Sequence, residues 1–352
     1  MQLDNQVNQQ KVFQTLNTKR VWLPLLLGTG VVIYFLSTDQ DLRAGQLHLV
    51  RLGNWPYILA AIGAVVLRDL IYIYRIRILT HNKLSWLSCL YVIILWEFSS
   101  AVTPSAVGGT LIAVFLLLKE GVSLGRSLAY VMVTAILDNL FFILMAPLGY
   151  YHAYNYLSTS MASLEKGIHA AFWISYLLIT LYTIMMAFAL FVKPAFFKWA
   201  LVKLTHIRFL SRWKEWATKQ GDDIMMASQA LQGEKWIYWV QIGVVTMLVW
   251  TARYGILNLL IAAYVPVSWL DHLMIFGKHI IMWVTMLISP TPGSSGTAEF
   301  FFKQLYGELL GQYTLIMAIV WRMITYYLYL IAGVIVLPRW LKGAHLRKVV
   351  RA

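Results

Sequence analysis

Arg68, Arg253 and Arg322 each stand inside a long apolar stretch, and Asp69, Glu97, Asp138, Lys278, His279 and Glu299 occupy similar surroundings. A charge in hydrocarbon costs at least about 2.5–3.5 kcal/mol on insertion scales, so such side chains face a protein interior and pair. Their chemistry is charge recognition: guanidinium groups bind phosphate or carboxylate, and carboxylates bind a basic group or take up a proton. Arg68 and Asp69 are neighbours and lie on different faces of one helix, which predicts a partner elsewhere for at least one of them. The plainer alternative is that these charges are structural pairs. For Glu299 it is a carboxylate satisfied by helix N-terminal amides, and for Lys278 and His279 it is snorkelling to an interface.

Two stretches could bring backbone groups to the same place. Residues 99–110 read SSAVTPSAVGGT and residues 288–299 read ISPTPGSSGTAE. Each contains Thr-Pro (Thr103-Pro104, Thr291-Pro292), then small residues, then Gly-Thr (Gly109-Thr110, Gly296-Thr297). Proline and glycine break helices, and the freed amides and carbonyls survive at membrane depth only inside protein or beside a watery cavity. Thr110 and Thr297 are of a type that caps a helix start, and helix N-termini attract anions. The candidate substrate-binding set is therefore Thr103, Pro104, Gly108, Gly109 and Thr110 from the first break, and Pro292, Gly293, Ser294, Ser295, Gly296, Thr297 and Glu299 from the second. Arg68, Asp138, Arg253 and Arg322 join it from flanking helices. Close helix packing alone would explain the glycines and serines, but not the prolines. There is no metal-ligand spacing, serine triad or nucleotide-phosphate loop, so no catalytic residue, metal or cofactor is assigned and an enzyme is not expected.

These residues must be held by membrane helices. Hydrophobic residues make up 60% and charged residues 12% of the chain, with mean hydropathy +0.66, whereas a soluble domain carries about 25% charged residues. The net charge of +14 collects in short loops and the tail, as the positive-inside bias requires, which excludes nucleic acid as the partner. Cys89 is the only cysteine, so no intrachain disulfide forms. The first apolar run ends in Ser37-Thr38-Asp39-Gln40 without a small-residue cleavage site and is read as a retained helix.

The expected fold is an all-α integral membrane protein with about six full transmembrane helices, two re-entrant broken-helix hairpins and cytoplasmic termini. Residues 1–20 form a cytoplasmic segment. Residues 21–192 form the first half, with helices at 21–37, 55–78, 126–150 and 169–192 and a hairpin at 84–118. Residues 193–235 are a basic cytoplasmic connector near the lipid headgroups, without a clean helical stripe. Residues 236–338 form the second half, with helices at 236–265 and 310–337 and a hairpin at 270–305. Residues 339–352 are a basic cytoplasmic tail. Parity argues for the hairpins: if 84–102 crossed fully without return, the connector, with eight basic and four acidic residues, would face outward. A return arm of about nine residues covers about half of the hydrocarbon core. The two halves then form an inverted repeat with broken helices meeting near the midplane.

Pro104, Gly108 and Gly109, then Asp138, then Pro292, Gly293, Gly296 and Glu299 carry a resemblance. In this order they are similar to the flippase-like transmembrane domain of lysylphosphatidylglycerol synthases, over about residues 20–340, as a standalone member lacking the soluble synthase domain. Thr110 stands where the first motif often continues with an acid, and Asn139 follows Asp138 where arginine is expected. The resemblance implies a protein that handles membrane lipids with anionic or zwitterionic headgroups, without implying synthase activity. The leading expectation is a flippase-like transporter of the cytoplasmic (inner) membrane for a phospholipid, aminoacylated lipid or polyprenyl-phosphate-linked lipid. The alternatives are an intramembrane transferase using Asp138, Glu299 or His279 as base, and an accessory subunit of a lipid or cell-envelope glycan pathway. A partner enzyme and a homo-oligomer stay open.

Overall fold

The computed structural model describes residues 55–103, 106–153, 162–207, 209–287 and 291–349, with Leu26 and Gly30. The helix expected at 21–37 and the segment 1–20 lie outside the described residues. All regular elements described are helices: α1 (Trp55–Leu79), α2 (Trp86–Val102), α3 (Ala106–Lys119), α4 (Leu124–Ala153), α5 (Ala162–Ala187), α6 (Pro194–Leu204), α7 (Lys214–Ala230), α8 (Trp236–Ala262), α9 (Trp269–Met286), α10 (Thr297–Leu310), α11 (Thr314–Arg322) and α12 (Leu328–Val349). Among the described residues, five apolar helical runs are long enough to cross a membrane, at 55–79, 124–153, 166–192, 236–262 and 297–341. The chain is an all-α integral membrane protein.

The packing comes in matched sets. α1 lies along α8; α2 packs on α12 as α9 packs on α4; α2 pairs with α3 as α9 pairs with α10; and α3 meets α4 as α10 meets α11. At the α4–α9 crossing the backbones touch: a Cβ on Gly149 would lie 3.0 Å from the Gly277 Cα, the approach that small residues permit between membrane helices.

Two apolar clusters divide the bundle. One gathers Ile76, Leu95, Phe98, Leu116, Ile242 and Leu337; the other gathers Phe141, Phe172, Leu257, Ile275, Phe302 and Met317. Long helices pass from one cluster to the other, and the charged residues fall at the crossing. On α1, Val65 belongs to the second cluster and Tyr72 to the first, with Arg68 between; on α8, Val249 and Leu257 bracket Arg253; on α4, Ile136 and Phe141 bracket Asp138. The polar residues thus form a layer between two apolar cores, where each charge finds partners from several helices.

The buried residues of the helix pair α2–α3 belong to the first cluster and those of α9–α10 to the second, so the two pairs occupy opposite ends of the bundle. The outer ends of α2–α3 share one end with the connector. There the Tyr238 hydroxyl donates to the Leu79 carbonyl (3.3 Å), His81 meets Glu234 (2.8 Å), Trp340 donates to Glu120 (2.7 Å), and Gly125 backs onto Met226. At the other end, Tyr264 packs on Tyr313, with ring centroids 5.6 Å apart.

Three details differ from the sequence expectation. The return arms α3 and α10 are 14 residues each rather than about nine. α3 starts before the Gly108-Gly109 pair, and α10 runs on until Gly311 turns left-handed (φ 49°). At about 21 Å each remains shorter than a hydrocarbon core of about 30 Å. The helix expected at 310–337 is interrupted by a π-helical turn, Met323–Tyr327, directly after Arg322. The connector contains two helices, α6 and α7, which pack on each other, with α7 resting on α4. A single apolar stripe facing the bundle was the wrong criterion for them.

Candidate functional site

The second break is the more tightly built. Thr291 leads into a 3-10 turn, Pro292–Ser294, and Gly293, Ser294 and Gly296 take positive φ values of 55°, 53° and 85°. A Cβ on Gly293 would also sit 2.7 Å from the Tyr326 Cζ, so glycine is required there by conformation and by space. α10 then starts at Thr297, and the amide just before it is capped from within: the Gly296 N–H donates to Glu299 Oε2 at 2.7 Å. The other oxygen, Oε1, accepts from Arg322 Nε at 2.9 Å. Arg322 Nη2 donates to the Gly293 carbonyl (3.3 Å) and the Ser295 hydroxyl (3.2 Å), and its guanidinium lies 3.8 Å from the centre of the Tyr326 ring. One arginine and one carboxylate thereby bond three polar groups of this break, the Gly296 amide, the Gly293 carbonyl and the Ser295 hydroxyl.

The first break leans on its neighbours. Ser85 caps α2 by accepting from the Ser88 amide (3.1 Å), and α2 ends at Thr103, whose hydroxyl donates to the Ser99 carbonyl (2.7 Å). The Tyr326 hydroxyl donates to the Ala101 carbonyl at 2.9 Å and accepts from Ser295 at 3.3 Å, which joins the two breaks through one side chain. Gly109 is buried against Ser100, where a Cβ would approach the Ser100 Cβ to 3.3 Å. Pro104 lies outside the described residues.

Where the breaks meet there is a polar cavity of about 280 Å³. Thr103, Thr291, Gly293, Ser294 and Arg322 contribute from the breaks and the helix behind them, Arg253 and Glu97 from α8 and α2, and His279 from α9. Arg253 Nη1 donates to Glu97 Oε1 at 2.6 Å and Nη2 to Oε2 at 3.4 Å, a forked pair. Its side chains keep 27% and 18% of their surface exposed, against 7% and 3% for Arg322 and Glu299.

The remaining predicted charges stand beside the cavity. Asp138 does not line it; it pairs with Arg75 and accepts from the Trp250 indole at 2.8 Å. Arg75, which falls within the helix expected at 55–78 but is not among the candidate residues, is buried in α1. Arg68 bonds its neighbour Asp69 (2.6 Å), and the partner elsewhere that the sequence called for is Tyr329. Tyr329 closes that pair, hydrogen-bonding Arg68 and donating to both Asp69 oxygens at 2.8 and 2.7 Å. Lys278 and His279 are buried rather than snorkelling: Lys278 donates to the Leu305 carbonyl (2.8 Å), tying α9 to α10, and the His279 ring packs on Tyr254 (4.4 Å). Thr110 falls in the second turn of α3, not at its start, and Thr297 follows an N-terminus that Glu299 already caps. Neither supplies a free helix end for an anion.

Sequence reasoning missed Tyr72, Arg75, Tyr326 and Tyr329. Tyr72 is a hub: the Arg68 and Arg75 guanidinium carbons lie 5.7 and 4.9 Å from its ring centre, and Arg253 donates to its hydroxyl at 3.3 Å. The signal was present, since Arg68, Tyr72 and Arg75 fall at i, i+4 and i+7, one face of a helix. The layer holds Arg68, Arg75, Arg253 and Arg322, each paired with one of Asp69, Asp138, Glu97 and Glu299. Its formal charge therefore balances.

A UPF0104 membrane protein of Archaeoglobus fulgidus is 26% identical over 322 residues, which are 86% of this chain and 91% of that protein. No solved structure matches. The profile of the family described as "Lysylphosphatidylglycerol synthase TM region" matches residues 21–333, which takes in both breaks and all four ion pairs. A match of that extent identifies this multi-pass membrane protein as a member of the lysylphosphatidylglycerol synthase TM region family.

Proposed function

We propose that the protein is a flippase-like transporter of the cytoplasmic membrane. A lipid headgroup enters the cavity between two re-entrant hairpins, α2–α3 and α9–α10, while its chains stay in the bilayer. The observation that carries this reading is the polar cavity itself, set where two broken helix pairs from opposite ends meet. Its volume of about 280 Å³ sits at the lower bound of ordinary ligand pockets, a size suited to a headgroup and not to its chains. The matched packing of the two halves supports an inverted repeat, the architecture that places a site between discontinuous helices.

The balanced charges refine the expected chemistry. With every arginine paired, a phosphate must exchange places with a carboxylate rather than meet a vacant cation. The Arg253–Glu97 pair suits such an exchange, because it borders the cavity and is partly exposed. Arg253 takes the phosphate, and Glu97 is released to a basic group of a zwitterionic or aminoacylated headgroup, or to a proton. No carboxylate needs to act as a base on the substrate, so the reading is of a transporter and not an enzyme.

Proteoliposomes of extracted native lipids test this. The unaltered protein should move labelled lipid between leaflets. Arg253→Gln and Glu97→Gln should slow it by about tenfold or more, the effect of losing one charge-assisted hydrogen bond, while remaining folded. No movement of any native lipid sinks the proposal. A second reading, an intramembrane transferase, rests on His279, whose buried Nδ1 has no hydrogen-bond partner among the described residues. It is favoured if lipid stays in place but product forms from a lipid-linked donor and is lost in His279→Asn.

A further inference from the structure

We infer that α6 and the turn after it form a foot that binds the anionic headgroups of the leaflet at the connector end, separate from the cavity and independent of what the cavity carries. The charge pattern comes first. Lys193, Lys198, Lys203, Arg208, Arg212 and Lys214 all precede Glu215, Asp222, Asp223 and Glu234, so the first half of the connector is purely basic and every acid lies in the second half.

In the structure the two halves pack on each other but differ in what they cover. α6, PAFFKWALVKL, is mostly apolar yet has no buried residue. Phe196 and Trp199 are 51% and 53% exposed, and Phe209, Trp213 and Trp216 are exposed beyond it. α7 carries three of the four acids and supplies the contact with the bundle through α4. Lys198 is used internally: its stem covers Gly221 and its ammonium meets Asp222 at 2.5 Å. Two further cations stand on aromatic rings. Lys203 Nζ lies 4.5 Å from the Trp199 ring centre, and the Arg212 guanidinium lies 5.4 and 5.0 Å from those of Phe209 and Trp213.

Rings that reach the acyl boundary beneath cations at phosphate depth are the signature of an interfacial helix. Position agrees. The apolar span 166–192 runs through a π-helical turn, Phe188–Val192, straight into Pro194 at the first turn of α6, so α6 begins where that span leaves the hydrocarbon. An open groove between α6 and α7 has Lys203 and His206 at its edge and Trp199, Val202 and Met225 along its wall. A purely basic, aromatic face continuous with a membrane span is complementary to an anionic lipid surface.

The test uses the full-length protein carrying Leu204→Cys with a nitroxide label, in nanodiscs of phosphatidylcholine alone or with phosphatidylglycerol. The native Cys89 is buried and stays unlabelled. We expect phosphatidylglycerol to lower collision of the label with a water-soluble nickel complex severalfold and to raise collision with oxygen, with salt reversing the change as screening requires. Lys203→Glu with Arg212→Glu should abolish the lipid dependence, since each basic group near an anionic surface contributes roughly fivefold to binding. A label equally open to nickel in both discs, without response to salt, overturns the inference. Protection that appears only when a soluble acidic protein is added overturns it too and assigns the face to a protein partner. The salt titration needs no charge variant, so the inference stays testable if the double reversal does not fold.

Discussion

The two breaks share a sequence device and differ in how they are held. In the second, Glu299 and Arg322 are buried together, and among the described residues their side-chain hydrogen bonds go to that break or to each other, with the Arg322 guanidinium stacked on Tyr326. In the first, the nearby charge Glu97 lies on the arm before the break, reaches across to Arg253 on α8 and faces the cavity. The same Thr-Pro and Gly-Thr signature therefore makes one fixed wall and one that, on the proposed transport reading, responds to a ligand. A static, internally satisfied break gives a site its shape; a partly wet ion pair gives it something to exchange.

The largest effect should come from the fixed wall. Arg322→Ala leaves Glu299 charged and buried, which costs about 3–5 kcal/mol when one partner of such a pair is removed. Arg322→Met together with Glu299→Gln should regain most of that, because the amide oxygen still accepts from Gly296. Arg253→Ala should cost less, about 1–2 kcal/mol, since Glu97 keeps access to the cavity. Denaturant unfolding in detergent micelles measures all three. Equal losses for Arg322→Ala and Arg253→Ala would erase the distinction between the walls.

The next prediction asks whether the difference is confined to polar groups. Hairpin α9–α10 is seated on α4 through Gly277 against Gly149, and α2–α3 on α12 through Phe98 over Gly333. Gly277→Val and Gly333→Val should both destabilise, by a similar amount of about 1–3 kcal/mol or more, as overpacking does. If one is tolerated and the other is not, the hairpins differ in packing as well, and the contrast drawn from the ion pairs is incomplete.

Much of this was legible in the chain. Composition and apolar segments marked an all-α membrane protein, and the two Pro/Gly breaks marked where the chain would leave helical geometry. Arg253, Arg322 and Glu299 declared themselves by being charged where hydrocarbon forbids it. What stayed hidden followed from side-chain reach and from tyrosine. Arg75 lies close to Arg77 and Lys83 at the basic end of its helix, so it did not stand out, yet α1 buries it against Asp138. Arg68 could bond its neighbour because a long side chain is not limited to the face from which it starts. Tyr72 could have been found from the helix face it shares with Arg68 and Arg75, whereas Tyr326 and Tyr329 carry no charge and match the apolar pattern, as a core tyrosine would. The pairing of every arginine was also invisible, and it changed the chemistry from attraction to exchange.

The smallest effect probes the joint between the walls. Tyr326 belongs to the π-helical turn after Arg322, and its hydroxyl reaches the Ala101 carbonyl on one side and Ser295 on the other. π-turns insert a residue where a site needs a side chain that regular helix geometry would aim elsewhere. Tyr326→Phe keeps the ring under Arg322 and removes only the hydroxyl, so the loss should be about 1 kcal/mol, less than for any variant above. Its signature should be local. Amide exchange should quicken at 99–103 and at 293–297 together, with little change in α6, α7 or α12. The pairing is what makes the test sharp: if the hydroxyl only satisfies Ala101, the first break alone loosens, whereas faster exchange in both means that one side chain sets the distance between the fixed wall and the responsive one.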